Sequence, residues 1–366
     1  MTGWRIVTVV HVLPVDIPRG AQIYARQLAD ALDQPGGRHR VLVIFESGPG
    51  PLRPDIRLGV GGGRLRAIGG DPVAARRLRI ALAREAPLAV VAHGGESLKY
   101  AAVATPAGVP LVYYKIGLSV GMVNPARRWL YRALMGRTQL IAAVSEEIAR
   151  EARAHLRSVD RPVVVVANGR DPAPYPERRH RRTDRPRLAF VGRLIASKRP
   201  GRFLAVVAEL RRRSLDFEAV LIGDGPLLEG LRGTAADLGV ELLGRRTDVP
   251  ELLGGSDVFV FTSEPASEGM PGVLIEAGLA GLATVSTDVP GARTVIEDGI
   301  TGFVVAADDL AALGEATAEL VADPELRARM GRAARARCLQ QFSLAVSAEQ
   351  WRELLDSLSR PPRRRW

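Results

Sequence analysis

The sequence has 366 residues, of which 46% are apolar and 25% are charged, a balance that excludes an intrinsically disordered chain and is typical of a water-soluble globular protein. At about 150 residues per domain, this length predicts two domains. The apolar segment 6–15 is interrupted by polar residues and by Pro14, and it predicts a buried strand, not a signal peptide or a membrane span. The single cysteine, Cys338, excludes a disulfide framework and fits a reducing cytoplasm.

The net charge of the chain is +11, and only three of its 51 basic residues are lysine. This excess of positive charge favours anionic partners, namely diphosphates, anionic lipids or nucleic acid. Surfaces that bind single-stranded nucleic acid interleave basic and aromatic residues, whereas aromatic residues make up only 5% of this sequence. We therefore expect no nucleic-acid partner.

Strand-like and helix-like segments alternate along the first half of the chain, which predicts a parallel sheet with crossover helices. A loop at 14–20 follows the first strand and leads into a helix at 22–32. Together, these segments predict one doubly wound domain over residues 1–170. Its strands are expected at 5–12, 41–45, 88–92, 111–114, 140–144 and 163–166.

Four prolines within 171–186 disfavour regular structure, so this segment is expected to link two domains. The alternation of strands and helices then resumes and predicts a second doubly wound domain over 187–344. A helix at 345–359 and a basic tail at 360–366 follow, and the tail is expected to be mobile because it offers no apolar face. The strands of the second domain are expected at 188–191, 219–222, 240–243, 258–262, 283–286 and 303–305.

The most informative segment, EGMPGVLIE, follows the strand predicted at 258–262. Pro271 suits the first turn of a helix, so free backbone amides would point from the helix start towards an anion. Glu268 precedes this start, and Glu276 lies about 7.5 Å farther along the axis. Two carboxylates that bracket an anion site suit a nucleotide sugar: they would accept hydrogen bonds from its sugar and ribose hydroxyls, and its diphosphate would lie over the helix start. The alternative is a solvated helix start whose dipole Glu268 merely complements. The residues around the helix start are Gly269, Met270, Pro271 and Gly272.

A second segment places Arg193 and Lys198 after the strand predicted at 188–191. They leave the carboxyl end of the sheet, which is the edge where ligands bind in open α/β folds. Cations at this edge are placed to hold a diphosphate, whose negative charge grows as a glycosidic bond breaks. A pair of exposed loop charges is the alternative interpretation.

These two segments, with Gly-Arg-Leu at 192–194, Lys-Arg-Pro at 198–200 and the Glu268…Glu276 pair, resemble the signature of the family 4 retaining glycosyltransferases of GT-B fold. Asn168-Gly169 and the Gly-Asp-Gly-Pro segment at 223–226 resemble turns of the same family. The similarity covers nearly the whole chain. It implies an α/β protein with two facing Rossmann-like, doubly wound domains and an interdomain cleft, in which the N-terminal domain takes the acceptor and the C-terminal domain the nucleotide-sugar donor.

The resemblance also implies roles for single residues. Arg193 and Lys198 would bind the diphosphate, Glu268 the donor sugar and Glu276 the ribose, and the first three of these would be catalytic. Arg245 would lie in the turn that contacts the base. Gly20 resembles the glycine-rich loop that approaches the phosphates from the other domain, although Arg19-Gly20 stands here in place of paired glycines.

The sequence departs from the family pattern after the strand predicted at 111–114. Many members carry a histidine there, whereas this chain has Ile116, which cannot bond a donor hydroxyl. Lys115 or His93 is a candidate to replace that histidine on the acceptor or donor-sugar side. A lone histidine at the end of a strand is, however, more often structural.

No sequence cluster suggests a metal site, so the resemblance implies a metal-independent retaining transfer that uses a nucleotide diphosphate sugar as co-substrate and no other cofactor. A base near the first strand, Asp16 or His11, would instead suit an inverting enzyme, and we favour a structural role for His11. Two further alternatives are a GT-B-fold epimerase of nucleotide sugars and a regulatory protein that binds them without turnover. The sequence leaves the oligomeric state, the sugar, the base and the acceptor open.

The segment 124–139 has apolar residues at helical spacing, including Trp129, Leu130 and Leu134, beside several arginines. A basic amphipathic helix can lie on an anionic membrane and would suit a lipid acceptor. Such an apolar stripe more often packs on its own domain. We therefore expect a small or carrier-bound cytoplasmic acceptor, with membrane association as the less favoured alternative.

Overall fold

In a computed structural model of the protein, the residues described are 7–17, 20–33, 37–46, 52–61, 66, 70–118, 124–156, 161–175 and 185–359. They form two compact units. Unit 1 comprises Met1–Gly169 and Leu344–Trp366, and unit 2 comprises Arg170–Ser343. Within the linker expected at 171–186, residues 176–184 lie outside the described part of the chain, as does the tail expected at 360–366.

Unit 1 contains a seven-stranded parallel sheet in the order β3-β2-β1-β4-β5-β6-β7, as the alternation of segments predicts. The order reverses beside β1, so that β1 and β4 flank the switch point where open α/β sheets bind ligands. The strands are β1 (Val7–Val15), β2 (Gly37–Phe45), β3 (Ile56–Val60), β4 (Ala89–His93), β5 (Leu111–Lys115), β6 (Leu140–Ala143) and β7 (Val163–Val165). The helices are α1 (Gly20–Leu32), α2 (Pro72–Glu85), α3 (Gly94–Ala104), α4 (Pro125–Gly136) and α5 (Glu146–His155).

Two elements of unit 1 differ from the sequence-based prediction. The first strand continues through Pro14 to Val15, where a loop was expected, and Val15 pairs with Phe45 of β2. The strand β3 was not predicted because it lies at the edge of the sheet, where its alternating residues are only half-buried. By contrast, every residue of β4 and β5 is buried, and such continuous apolar runs are easily recognised.

Unit 2 contains a six-stranded parallel sheet in the order β10-β9-β8-β11-β12-β13. The order reverses between β8 and β11, which flank the switch point of this unit. The strands are β8 (Arg187–Val191), β9 (Glu218–Ile222), β10 (Val240–Gly244), β11 (Val258–Phe261), β12 (Ala283–Thr287) and β13 (Gly302–Val305). The helices are α6 (Pro200–Arg212), α7 (Leu228–Asp237), α8 (Val249–Gly254), α9 (Gly272–Leu279), α10 (Ala292–Val295), α11 (Leu310–Ala322) and α12 (Pro324–Phe342).

The last helix, α13 (Leu344–Ser359), belongs to unit 1 although it follows unit 2 in the chain. Trp351 is fully buried, and its indole Nε1 donates a hydrogen bond of 2.9 Å to the Tyr24 hydroxyl. The same hydroxyl lies 2.6 Å from Ser347 Oγ. Burial of a tryptophan with its N–H satisfied adds to the core of unit 1, so α13 is part of that core.

Close backbone packing holds the loops at the carboxyl ends of β8 and β9 together. The Leu194 amide donates to the Asp224 carbonyl at 2.9 Å. Gly223 has a φ of +145°, and a Cβ atom at this position would overlap the Gly192 carbonyl. Only glycine therefore permits this approach, which fixes the loop that carries Arg193.

Candidate functional site

The sequence-predicted donor residues lie at the switch point of the unit 2 sheet. One loop follows β8 and the other follows β11, and the two are joined by hydrogen bonds. The Glu264 amide donates to the Ser197 carbonyl at 2.8 Å, and the buried Thr262 hydroxyl donates to the Lys198 carbonyl at 2.9 Å. The loops therefore form one rigid frame at the sheet edge where ligands bind in this class of fold.

Within this frame, Lys198 and Glu268 form an ion pair in which Lys198 Nζ donates to Glu268 Oε1. The Glu268 side chain is 8% exposed and that of Lys198 is 24% exposed. The ammonium also lies 5.8 Å from the centre of the Phe261 ring. A carboxylate this deeply buried requires a paired cation, so each residue orients the other. From the sequence, Lys198 was assigned to the diphosphate and Glu268 to the donor sugar, whereas the structure shows the two side chains in direct contact.

Arg193 is exposed in the loop after β8 that also carries Lys198, and no hydrogen bond or ion pair of its side chain is found within the described part of the chain. Arg245, predicted to lie near the base, is exposed after β10 and likewise has no side-chain partner among the residues described. The neighbouring Arg246, by contrast, forms two hydrogen bonds with Asp248, at 2.8 and 2.6 Å. Arg193 and Arg245 thus present uncompensated positive charge.

The helix start expected at Pro271 lies one residue later. Pro271 precedes α9, and the first helical hydrogen bond runs from the Leu274 amide to the Pro271 carbonyl at 3.1 Å. The amides of Gly272 and Val273 come before this bond and point out of the helix start. Met270 and Pro271 are buried beneath them. The helix start therefore has two amides without an intrahelical acceptor, with the proline before the first turn.

A residue that the sequence did not indicate, Arg170, lies against this helix start. Its Nε donates to Glu276 Oε1 at 2.8 Å, and a Cβ atom on Gly272 would overlap its guanidinium group. The Arg170 side chain is 8% exposed and that of Glu276 is 22% exposed. Glu276, assigned to the ribose by resemblance, is thus already bonded to a buried cation. Nothing local in the sequence signals this pair, because 106 positions separate its members.

Unit 1 has a cavity of about 430 Å³ that His93, Lys115, Gln22 and Ile116 help to line. Lys115 is buried, and its Nζ lies 2.8 Å from Glu151 Oε2 and donates to the Gly117 carbonyl at 2.8 Å. Burial lowers the pKa of Lys115, although Glu151 opposes this shift. The Lys115 ammonium group therefore already has two partners within unit 1, Glu151 and the Gly117 carbonyl.

Two other residues of unit 1 that the sequence suggested, Gly20 and Asp16, show no feature of a binding or catalytic site. Gly20 is the exposed first residue of α1, and its neighbour Arg19 lies outside the described residues. Asp16 is buried and paired with Arg57, which leaves it unsuited to act as a base. Across the described part of the chain, no group of three or more His, Cys, Asp or Glu side chains is arranged so that it could hold a metal ion.

Comparisons with known proteins place the chain among glycosyltransferases. Residues 174–337 match glycosyl transferases group 1, and residues 18–174 match glycosyltransferase family 4. Alpha-maltose-1-phosphate synthase of Mycobacterium tuberculosis is 32% identical over 342 residues, which are 81% of this chain and 84% of that protein. Alpha-D-kanosaminyltransferase of Streptomyces kanamyceticus is 31% identical over 173 residues, and the match spans 46% of this chain and only 44% of that relative.

Solved structures show the same fold. HepE of Anabaena, in complex with UDP and glucose, has a TM-score of 0.76 at 20% identity, with 96% of this chain and 100% of that chain covered. Sucrose-phosphate synthase from Thermosynechococcus elongatus has a TM-score of 0.79 at 18% identity, with 96% and 99% covered. At these identities the likeness concerns the fold, which is GT-B.

The two parallel, doubly wound sheets and the loops at their carboxyl ends thus define a GT-B glycosyltransferase. The chain belongs to glycosyltransferase family 4, and the resemblance drawn from the two sequence motifs is confirmed.

Proposed function

We propose that this glycosyltransferase moves a sugar from a nucleotide diphosphate donor to a hydroxyl acceptor, with retention of configuration and without a metal ion. The observation that carries the proposal is the switch point of unit 2, where the loop after β8 carries uncompensated Arg193 together with Lys198, and Lys198 pairs with Glu268 ahead of the start of α9. A diphosphate over this helix start would meet two free amides and two cations.

In the proposed mechanism, the residues of unit 2 stabilise the leaving group. As the glycosidic bond breaks, negative charge grows on the diphosphate, and one preorganised donor at such a position contributes about 3 kcal/mol. Arg193 and Lys198 would supply this stabilisation, which removes the need for a metal ion. Glu268 would accept a hydrogen bond from a hydroxyl of the donor sugar while it keeps Lys198 in place. The departing phosphate would take the acceptor proton on the same face of the sugar, which gives retention.

The test is to replace the two cations singly. We expect Arg193→Ala and Lys198→Ala each to lower turnover by about 100-fold without unfolding the protein. Arg246→Ala is the matched control, because Arg246 is an exposed arginine of the same unit already bonded to Asp248. Near-normal turnover in both variants would remove the diphosphate assignment. The anomeric configuration of the product, read by proton NMR, tests retention separately.

The donor base is identified by thermal shift with UDP, GDP, ADP and TDP. A nucleotide present at 100 times its dissociation constant adds about 2.7 kcal/mol to the free energy of unfolding. We expect one of the four to stabilise the protein clearly more than the others. If none does, the proposal of a nucleotide donor on unit 2 fails.

A second candidate is the same transfer to a lipid acceptor at a membrane surface, and the exposure of α4 favours it. The apolar stripe of this helix was expected to pack on its own domain, and this expectation is wrong for most of it. Leu134 is buried, whereas Trp129 is 72% exposed and Leu130 is 40% exposed. An exposed tryptophan beside several arginines suits the interface of an anionic bilayer. None of the helices in the described ranges is long and apolar enough to span a bilayer.

Sedimentation with anionic vesicles at physiological salt decides between the acceptors. Strong binding that is lost on neutralising Arg127, Arg128 and Arg132 would favour the lipid acceptor. Neutralising three exposed arginines of α2 is the matched control, because it makes the same change in net charge on the same unit. These arginines are Arg76, Arg79 and Arg84. Absence of binding would leave the small or carrier-bound acceptor.

A further inference from the structure

Three histidines form a continuous hydrogen-bonded chain across the unit 1 sheet. His11 Nδ1 lies 3.0 Å from His93 Nε2, and His11 Nε2 lies 3.1 Å from His39 Nδ1. The chain begins at half-buried His39 and ends at His93, which is 2% exposed. The second ring nitrogen of His93, Nδ1, is buried without a hydrogen-bond partner among the residues described, and His93 lines the cavity of unit 1.

The order and register of the strands create this chain. Strand β1 lies between β2 and β4, and His11 stands opposite Val41 of β2 and Val91 of β4. His39 is two residues before Val41, and His93 is two residues after Val91. Because side chains alternate along a strand, the three rings share one face of the sheet and follow a diagonal across it.

The geometry couples the tautomers of the three rings. Burial is the largest cause that lowers the pKa of each ring, to about 4 for His39 and to about 3 for His93, so all three are neutral at pH 7. Each ring-to-ring contact needs one proton, and each neutral ring carries only one. If His11 is protonated on Nδ1, its neighbours must both be protonated on Nδ1 as well. If it is protonated on Nε2, both neighbours must follow.

The cavity has a second orphaned polar atom, Gln22 Oε1, which is also buried without a partner within the described part of the chain. Buried polar atoms left unpaired are costly, so a ligand that pairs with both of them is favoured. A hydroxyl group both donates and accepts, and it therefore suits the amide oxygen and either tautomer of His93. Sugars and polyols are the ligands that carry several such groups.

We propose that the cavity of unit 1 binds a sugar or polyol, with one hydroxyl bonded to His93 Nδ1, and that His39 sets through His11 whether this nitrogen donates or accepts. His93 contacts the ligand, whereas His11 and His39 are positioning residues. The sugar class of the ligand rests on the proposed function. The tautomer coupling does not, and it is tested without turnover.

The coupling is tested by ¹⁵N NMR of the histidine rings in the whole protein. His39→Asp can only accept from His11, so we expect all remaining rings of the chain to be protonated on Nε2. His39→Lys can only donate, so we expect protonation on Nδ1. Whichever tautomer the native protein has, one variant must flip His93 from two strands away. His155 is not part of the histidine chain, so His155→Asp is the matched control and should leave the tautomer of His93 unchanged.

Two results would overturn the coupling. One is a native protein in which neighbouring rings of the chain hold opposite tautomers. The other is a His93 ring that keeps a single tautomer in the native protein and in both His39 variants. The first result needs no variant, so misfolding of a variant cannot rescue the proposal.

Ligand binding is read from the ¹⁵Nδ1 resonance of His93 during titration with glucose, mannose, galactose, N-acetylglucosamine, myo-inositol and glycerol, and separately with UDP-glucose and GDP-mannose. A response to a free sugar or polyol assigns the cavity to the acceptor, and a response to nucleotide sugars alone assigns it to the donor sugar. No response to any of them would overturn the proposed site. For the probe that binds, we expect about tenfold weaker affinity in His93→Phe and most of it restored in His93→Asn, which keeps a polar atom at the Nδ1 position.

Discussion

The Arg170–Glu276 pair allows a structural role to be separated from a role in donor binding. Glu276→Gln keeps the size of the side chain and removes its charge. The Arg170 guanidinium then stays 8% exposed at the start of α9 and has lost the Glu276 carboxylate. We expect unit 2 to lose stability even when no nucleotide is present.

The magnitude follows from burial. Removing one partner of a fully buried pair costs about 3–5 kcal/mol, and a hydrogen bond to a charged group contributes about 1.5–3 kcal/mol. Glu276 is 22% exposed, so water can partly replace its carboxylate. We therefore expect a loss of about 2 kcal/mol, which lowers the Tm of a domain of this size by about 6 °C.

The assay is chemical unfolding of the variant and the native protein without ligand. Glu319→Gln is the matched control, because Glu319 is exposed on α11 and has no ion-pair partner among the residues described. A double-mutant cycle with Arg170→Leu should recover most of the loss, since the buried charge is then gone as well. If Glu276→Gln is as harmless as Glu319→Gln, the pair is not structural, and the ribose role alone would account for Glu276.

Four further outcomes are expected. Gly223→Ala should cost about 3 kcal/mol or more, because its Cβ overlaps the Gly192 carbonyl at a φ of +145°, whereas Gly230→Ala on α7, where nothing lies within 4 Å, should be neutral or stabilising; equal Tm values would refute this. Trp351→Ala should lower the free energy of unfolding of unit 1 by about 3–5 kcal/mol in urea unfolding. A loss as small as that expected for an exposed side chain would show that α13 is not part of its core. Below pH 6.5, the free energy of unfolding of unit 1 should fall by up to about 1.4 kcal/mol per pH unit for each of His11, His39 and His93, because these rings bind protons there in the unfolded state but, with lowered pKa values, not in the folded state. Urea unfolding between pH 6 and 5 should show this slope, and His93→Asn should reduce it by about a third. A flat profile would contradict this. Turnover should survive exhaustive chelation, and its loss with recovery on adding a divalent metal would overturn the metal-free mechanism.

Local sequence patterns were enough to predict most of the strands and the position of the candidate donor site. Continuous apolar runs such as those of β4 and β5 predict buried parallel strands, because a strand covered on both faces needs apolar residues throughout. The position of a motif after such a run then places its charges at the carboxyl edge of a sheet. This reasoning was enough to put Lys198 and Glu268 at the carboxyl edge of the second sheet, and the resemblance of their two motifs to a known signature identified the family.

Some features could not be predicted from the sequence because their residue patterns were ambiguous. Strand β3 is a half-buried edge strand, and α4 has an apolar stripe that fits a buried face as well as a membrane surface. Only the structure shows Trp129 to be 72% exposed. Periodicity shows that a helix has an apolar face, but it does not show what that face contacts.

Tertiary structure alone decided the contacts that give each site its chemistry. Arg170 meets Glu276 because the chain returns to the start of α9 after 106 positions. The histidine chain exists because β1 lies between β2 and β4 and because the register sets His39 and His93 two residues to either side of His11. Strand order and register arise from the packing of the whole sheet, in which a shift of one residue would move every side chain of a strand to the opposite face. No local stretch of the sequence carries that information.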